Sequence, residues 1–303
     1  MTEPNVLVLD APSNLGLNPP EEGSTPGCYK LPWALHDRNL MDLINAGDAG
    51  SLVPPRYLAH WEPGEGDRNA ESIANYSVEL ADRLIETIQT EQQVLVLGGD
   101  CSILIGNMLA LKRRGRFGLV FLDGHSDFRH PGNAKAIGAA AGEDLAIVTG
   151  RGDARLVDLE DLGPYVRDED VAVVGVREND EHLDELIEAG IDITTSTQMN
   201  ALNSSQLADR VLQTVSQNTT GFWIHLDVDV VDASEMPAVD CPEEDGPSFS
   251  DVAELLSGCY RLQSALGSRS RSTIQISTLP VTVQIASSNV YRMHFVSHIH
   301  GIE

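Results

Sequence analysis

Apolar positions along this chain fall into two kinds of run, continuous and periodic. Asn5–Ser13, Val94–Leu97, Gly118–Leu122, Val171–Val176 and Phe222–Val228 are short stretches rich in Val, Leu and Ile. Runs of that kind predict strands buried on both faces. Between Glu71 and Gln89 the apolar residues Ile73, Tyr76, Leu80, Leu84 and Ile88 recur every three or four positions, the stripe of an amphipathic helix. Ser102–Arg114, Asp180–Ala189 and Ser204–Ser216 predict further helices, and the Gly/Pro-rich stretch from Gly16 to Gly27 predicts a long loop. Buried strands alternating with helices predict an α/β fold with a mostly parallel sheet and helices on both faces. In such sheets, active sites form beyond the carboxyl ends of the strands.

Three of the predicted strands lead into polar clusters: VLVLGGDCS at Val94–Ser102, GLVFLDGHSD at Gly118–Asp127 and FWIHLDVDVVD at Phe222–Asp232. Asp123, His125 and Asp127 stand at i, i+2 and i+4, so an extended segment would aim them to one side; Asp227 and Asp229 repeat the spacing. Several carboxylates gathered in a poorly solvated place repel one another by several kcal/mol. A pair of cations removes that cost, and oxygen-rich ligation with one or two nitrogen donors suits Mn²⁺. Two cations sharing a hydroxide would also supply a nucleophile at neutral pH. The blander alternative is that each Asp caps the turn after its own strand. His225 has the parity of Asp227, and either reaches this site or packs as a hydrogen-bonded core histidine.

Charge narrows the choice of partner. The chain of 303 residues carries a formal charge of −26, with Lys30, Lys112 and Lys135 as its lysines. Such a field repels phosphate, which argues against nucleic acid and anionic membranes and favours a small cationic substrate. An acid-rich, lysine-poor surface also fits a salt-rich environment. No basic-then-apolar leader and no apolar run of about 20 residues is present, and Cys28, Cys101, Cys241 and Cys259 show no CxxC spacing. A soluble, cytoplasmic protein with reduced thiols is expected.

The three clusters resemble the GGDHS, DAHxD and SxDxDxxDP motifs of the arginase and agmatinase (ureohydrolase) superfamily, in the same order, and the resemblance spans Asn5 to Gly258. It implies a three-layer α/β/α fold, a dinuclear Mn²⁺ site and a likeness to homo-oligomeric enzymes. It implies hydrolysis of a guanidino C–N bond in a small cationic, arginine-like substrate, releasing urea or a urea analogue. Carried over by position, the metal ligands would be Cys101, Asp123, His125, Asp127, Asp227 and Asp229. Asp123 and Asp227 would bridge the ions, and Asp127 would orient the hydroxide.

The chain departs from the pattern at four places. Cys101 replaces the first histidine ligand; it either ligates as a softer thiolate, shifting preference toward Zn²⁺, Ni²⁺ or Fe²⁺, or is a small buried residue that leaves one metal position weak. The loop GNAKAIGAAAGEDLA lacks the family's proton-shuttling histidine, for which Glu143 or His130 would substitute. Ala233 replaces a proline, and the late substrate-binding glutamate is missing. Asp240, Glu243 and Glu244 follow the last cluster as candidate contacts for a cationic substrate.

The end of the chain changes character. From Tyr260 to Glu303 the only acid is Glu303, whereas Arg261, Arg269, Arg271, Arg292 and three histidines occur there. Codons for Gly267–Gln284 exist that, one base out of register, encode Val-Glu-Val-Asp-Asp-Pro-Asp-Phe-Asp-Leu-Ala-Gly-Asn-Gly-Ser, an acidic alternative containing the missing glutamate. The expectation is a catalytic domain over residues 1–259 and an atypical segment over 260–303 from a shifted reading frame, without a clear strand. The competing function is a catalytically impaired homologue that serves as a structural or regulatory subunit.

Overall fold

The continuous apolar runs form the middle of a parallel sheet. The computed structural model describes residues 6–88 and 93–265, with the backbone segments Thr273–Ser277, Gln284–Ile285 and Phe295–Val296. In chain order the strands are β1 (Val6–Asp10), β2 (Ala46–Ser51), β3 (Gln93–Leu97), β4 (Phe117–Leu122), β5 (Val171–Val174), β6 (Asp192–Thr194), β7 (Gly221–Asp227) and β8 (Thr273–Ser277). They lie side by side in the order β2-β1-β3-β8-β7-β4-β5-β6, every pair parallel. Gln284–Ile285 (β9) and Phe295–Val296 (β10) form a separate antiparallel pair.

Alternate residues of each strand enter different cores, as a period of two requires. Leu9, Val96, Leu119, Phe121, Val173 and Trp223 pack on one face with helices α3 (Ala70–Ile88), α4 (Ile103–Lys112) and α5 (Asp144–Val148). Val8, Leu97, Val120, Val174, Ile224 and Leu226 pack on the other. That second face is covered by α1 (Leu31–His36), α2 (Leu40–Leu43), α7 (Ser196–Ala201), α8 (Ser204–Ser216) and α9 (Phe249–Ala265), while α6 (Leu183–Ala189) precedes β6. The predicted stripe holds: Ile73, Tyr76, Leu80 and Leu84 of α3 are buried. Gly106 of α4 lets the two helices close, since a Cβ there would press on the Ser77 carbonyl and Leu80. Removing the Leu80 side chain (Leu80→Ala) would cost about 2–5 kcal/mol. Among the described residues, no helix is long and apolar enough to cross a membrane.

Two strands lie outside the sequence reading. The sheet contains β2, whose sequence AGDAGS has no apolar run; it pairs on one side alone, so it needs no continuous apolar surface. The C-terminal segment does supply a strand: β8 pairs with β3 through Leu95–Leu97 and with β7 through Trp223–Asp227. Backbone pairing with two neighbours places it in spite of a sequence that lacks clean alternation. Helix α9 crosses the expected boundary at residue 260. The out-of-register reading of Gly267–Gln284 falls mostly outside the described residues, as do His294, His298 and His300.

Candidate metal centre

The loops after β3, β4 and β7 meet at the carboxyl end of the sheet. After β3, Gly99 passes so close to Ser13 that any Cβ would overlap its carbonyl. Asp100 fixes this turn: Oδ2 accepts from Ser13 Oγ at 2.7 Å and Oδ1 from the Ser102 N–H at 2.9 Å. Cys101, fully inside the protein, thereby faces the end of β7, and its Sγ donates to Asp227 Oδ2 at 2.8 Å.

The aspartates after β4 and β7 each divide their oxygens between a turn and the site. Asp123 Oδ1 accepts the His125 N–H at 2.7 Å, while its Oδ2 is buried with no hydrogen-bond partner. Asp227 Oδ1 accepts the Asp229 N–H at 2.9 Å, leaving Oδ2 to Cys101. Asp229 ties the loops together, with Oδ1 accepting from Gly124 N–H at 3.1 Å and Oδ2 lying 3.0 Å from His125 Nδ1. Turn capping and cluster formation are thus both present, carried by different oxygens of one carboxylate. The expected extended run from Asp123 to Asp127 is not: Asp127 has φ +42°, because the Asp123–His125 hydrogen bond bends the chain directly after β4. The Asp127 carbonyl then accepts the Ala146 N–H at 3.2 Å, which docks α5 beneath the loop.

Among the described residues, two groups of prospective ligand atoms result, each set mutually within 4.8 Å: Cys101, Asp123 and His225, and Asp123, His125 and Asp229. Asp123 belongs to both. His225 Nε2 lies 3.9 Å from Asp123 Oδ2 and 4.0 Å from Asp144 Oδ2, and its ring stacks on Phe121 with centroids 4.7 Å apart.

Burial, followed by repulsion from neighbouring carboxylates, pushes Asp123, Asp127 and Asp144 well above the usual carboxylate range. Burial and then Asp227 raise the Cys101 thiol as well. Burial opposes a charge on His125, but its hydrogen bonds to Asp123 and Asp229 outweigh that and raise it. A cation bound among these groups would relieve their mutual repulsion and compete with protons for the same atoms. The orphaned Asp123 Oδ2 and the mixed N/O/S donor set fit a dinuclear metal centre.

Of the proton-shuttle candidates, neither joins these groups. Glu143 Oε1 accepts the N–H groups of Gly138 and Ala139 at 2.9 and 3.1 Å, and the carboxyl lies against Asp67. Burial, with Glu143 next, raises Asp67 to about 9. His130 Nε2 pairs with Glu185 at 2.7 Å. Glu243 reaches the rim, 3.7 Å from His125 Nε2, and burial raises Asp240, with Asp100 and Asp229 adding to the shift. Two residues of the site escaped the sequence reading. Asp144, fully buried, opens α5. The Arg177 guanidinium donates to the carbonyls of Gly175, Val230 and Asp229 and to those of Glu243 and Glu244, holding the rim loop against β7. An acid opening the apolar run DLAIV was a signal for the first; the second had none.

The profile of the Arginase family matches residues 30–267. An arginase of Brevibacillus brevis is 28% identical over 251 residues, 82% of this chain and 83% of that one. The solved arginase of Bacillus caldovelox superposes with a TM-score of 0.77 at 24% identity, covering 91% of each chain. Proclavaminate amidino hydrolase from Streptomyces clavuligerus superposes with a TM-score of 0.63 at 20% identity, covering 91% of this chain and 82% of that one.

Proposed function

The chain belongs to the arginase family, hydrolases of C–N bonds in linear amidines built around dinuclear metal sites, and on that premise we propose that it hydrolyses a small guanidino compound using Mn²⁺ or a mixed metal pair. The observation that carries this reading is the sharing of Asp123 between two ligand groups at the carboxyl end of the sheet. Asp123, His125, Asp229, Asp227, Asp127 and Cys101 would hold the ions. When bound, the pair supplies a water of lowered pKa and positive charge opposite the developing negative charge of the reaction.

The remaining work falls to the chain itself. Asp127, held beside Asp123 by its left-handed backbone, accepts the proton of the attacking water and aims the oxygen at the guanidinium carbon. That proton goes to the departing amine, so that urea or its analogue and a free amine leave. Glu243 and Asp240 at the rim attract the cationic substrate. A compact oligomer of identical chains in the cytoplasm completes the proposal.

Metal analysis and urea release test it together. The purified chain should retain about two equivalents of divalent metal and release urea from arginine, agmatine or a hydroxylated arginine, slowly and only with metal. A chain without metal affinity and without urea release would leave the structural-subunit reading in its place.

A further inference from the structure

The family pattern has His in GGDHS and Ser in SxDxDxxDP, whereas this chain has Cys101 at the first position and His225 at the second. In the structure these two residues face one another across the same carboxylate. Cys101 Sγ, an Asp123 oxygen and a His225 ring nitrogen lie mutually within 4.8 Å, all three residues buried. A carboxylate that the resemblance does not assign, Asp144, approaches the same imidazole nitrogen as Asp123. It is fully buried, and neither of its oxygens has a hydrogen-bond partner. Asp123 Oδ2, also orphaned, and Asp144 Oδ2 lie 3.9 and 4.0 Å from His225 Nε2. Metal–donor bonds of about 2.0–2.3 Å can bridge separations of this order with small side-chain shifts.

Resting on the dinuclear reading above, we propose that the imidazole lost at position 101 is supplied from β7: His225, with Cys101, Asp123 and Asp144, forms one of the two metal positions. A packed core histidine would explain the stacking of His225 on Phe121. It would not explain why an unpartnered, fully buried aspartate lies beside that ring. Burying a carboxylate without a donor costs several kcal/mol, and a cation between Asp144, Asp123 and the imidazole removes the cost for both acids. One thiolate, one imidazole and two carboxylates make a softer set than the oxygen-rich position at His125 and Asp229. The proposal therefore makes the centre asymmetric, with the His225 position taking Zn²⁺ or Co²⁺ in preference to Mn²⁺.

Cobalt titration of the intact chain and of single variants tests this without reference to turnover. Wild type should bind two equivalents of Co²⁺ and show the near-ultraviolet thiolate-to-cobalt absorption of Cys101. His225→Asn should fall from two equivalents to one and lose that absorption, and Asp144→Asn should weaken the same position by about tenfold or more. The His125 position should fill normally in both. X-ray absorption of the zinc-loaded wild type does not depend on any variant folding: His125 and His225 together give about one imidazole per zinc, His125 alone about half. Two equivalents and undiminished thiolate absorption in His225→Asn, or the half count in the wild type, would overturn the proposal and leave the dinuclear reading standing. A wild-type chain that binds no metal would overturn both.

Discussion

The Cys101 thiol donates to Asp227 Oδ2 over 2.8 Å, joining two loops whose strands, β3 and β7, are separated in the sheet by β8. One oxygen of the carboxylate that the resemblance assigns to bridging two ions thus accepts the thiol proton. Metal binding at this position must displace that proton, so affinity should fall as pH falls. Cys101→His should raise Mn²⁺ occupancy, whereas Cys101→Ser should weaken one metal position by about 10–100-fold. Equilibrium dialysis at two pH values measures both; unchanged metal content in Cys101→Ser would reduce the thiol to packing.

Asp123 is common to both ligand groups and Asp229 to one. Asp123→Ala should therefore lose both metal equivalents and all hydrolytic activity, and Asp229→Asn chiefly one equivalent. In wild type, saturating metal at about a hundred times Kd should add roughly 2.7 kcal/mol to stability, visible in thermal melts. The Asp123→Ala protein should show no such gain, and two retained equivalents would contradict the bridging role.

The pair Asp67–Glu143 predicts a pH effect away from the metals. As anions, neither oxygen of Asp67 nor Glu143 Oε2 has a hydrogen-bond donor; one proton between the two carboxyls gives each a partner. Asp67, raised to about 9, binds its proton more tightly folded than unfolded. Its contribution to stability is complete below about pH 4 and is lost as pH rises toward 9. Asp67→Asn should flatten that decline and stabilise the chain at pH 8 by about 1–3 kcal/mol. Glu143→Gln should alter the same profile and leave metal content unchanged. Chemical denaturation across pH tests both variants, and a parallel wild-type and Asp67→Asn profile would refute the shared proton.

Sequence alone reached the middle of this sheet, because strands covered on both faces must be apolar throughout, as Val94–Leu97 and Gly118–Leu122 are. It missed β2, which pairs on one side, and β8, whose place is set by backbone pairing rather than by side-chain alternation. Counting parity brought Asp227 and Asp229 together but failed at Asp127, where a turn closed by the Asp123 side chain replaces extended backbone. His225 was legible by its parity with Asp227. The position of Glu143 was not, since the Asp67 it meets lies 76 positions earlier in the chain, with no local pattern to connect them.

The end of the chain offers a direct test of its origin. Replacing the sequence from Gly267 on with the out-of-register alternative restores a glutamate to this segment, where a charge-paired hydrogen bond would orient a guanidinium. Soluble yield and urea release should both rise, the latter by about tenfold or more. Equal turnover from the two forms would show that the segment as written is genuine and that the acids of the rim loop hold the substrate.

Because β8 stands between β3 and β7, the sheet consists of two parts that share no strand pairing until the last of its eight strands arrives. Strands β1 to β3 carry Cys101 beyond their end, and β4 to β7 carry the aspartates and His125 beyond theirs. Synthesis from the N-terminus makes both parts before the piece that unites them, and the contacts across the join are among the most sequence-distant in the fold. Assembly of the thiol with the carboxylates is thereby tied to the closing event of folding, and a nascent or truncated chain would present two half-built coordination spheres instead of one.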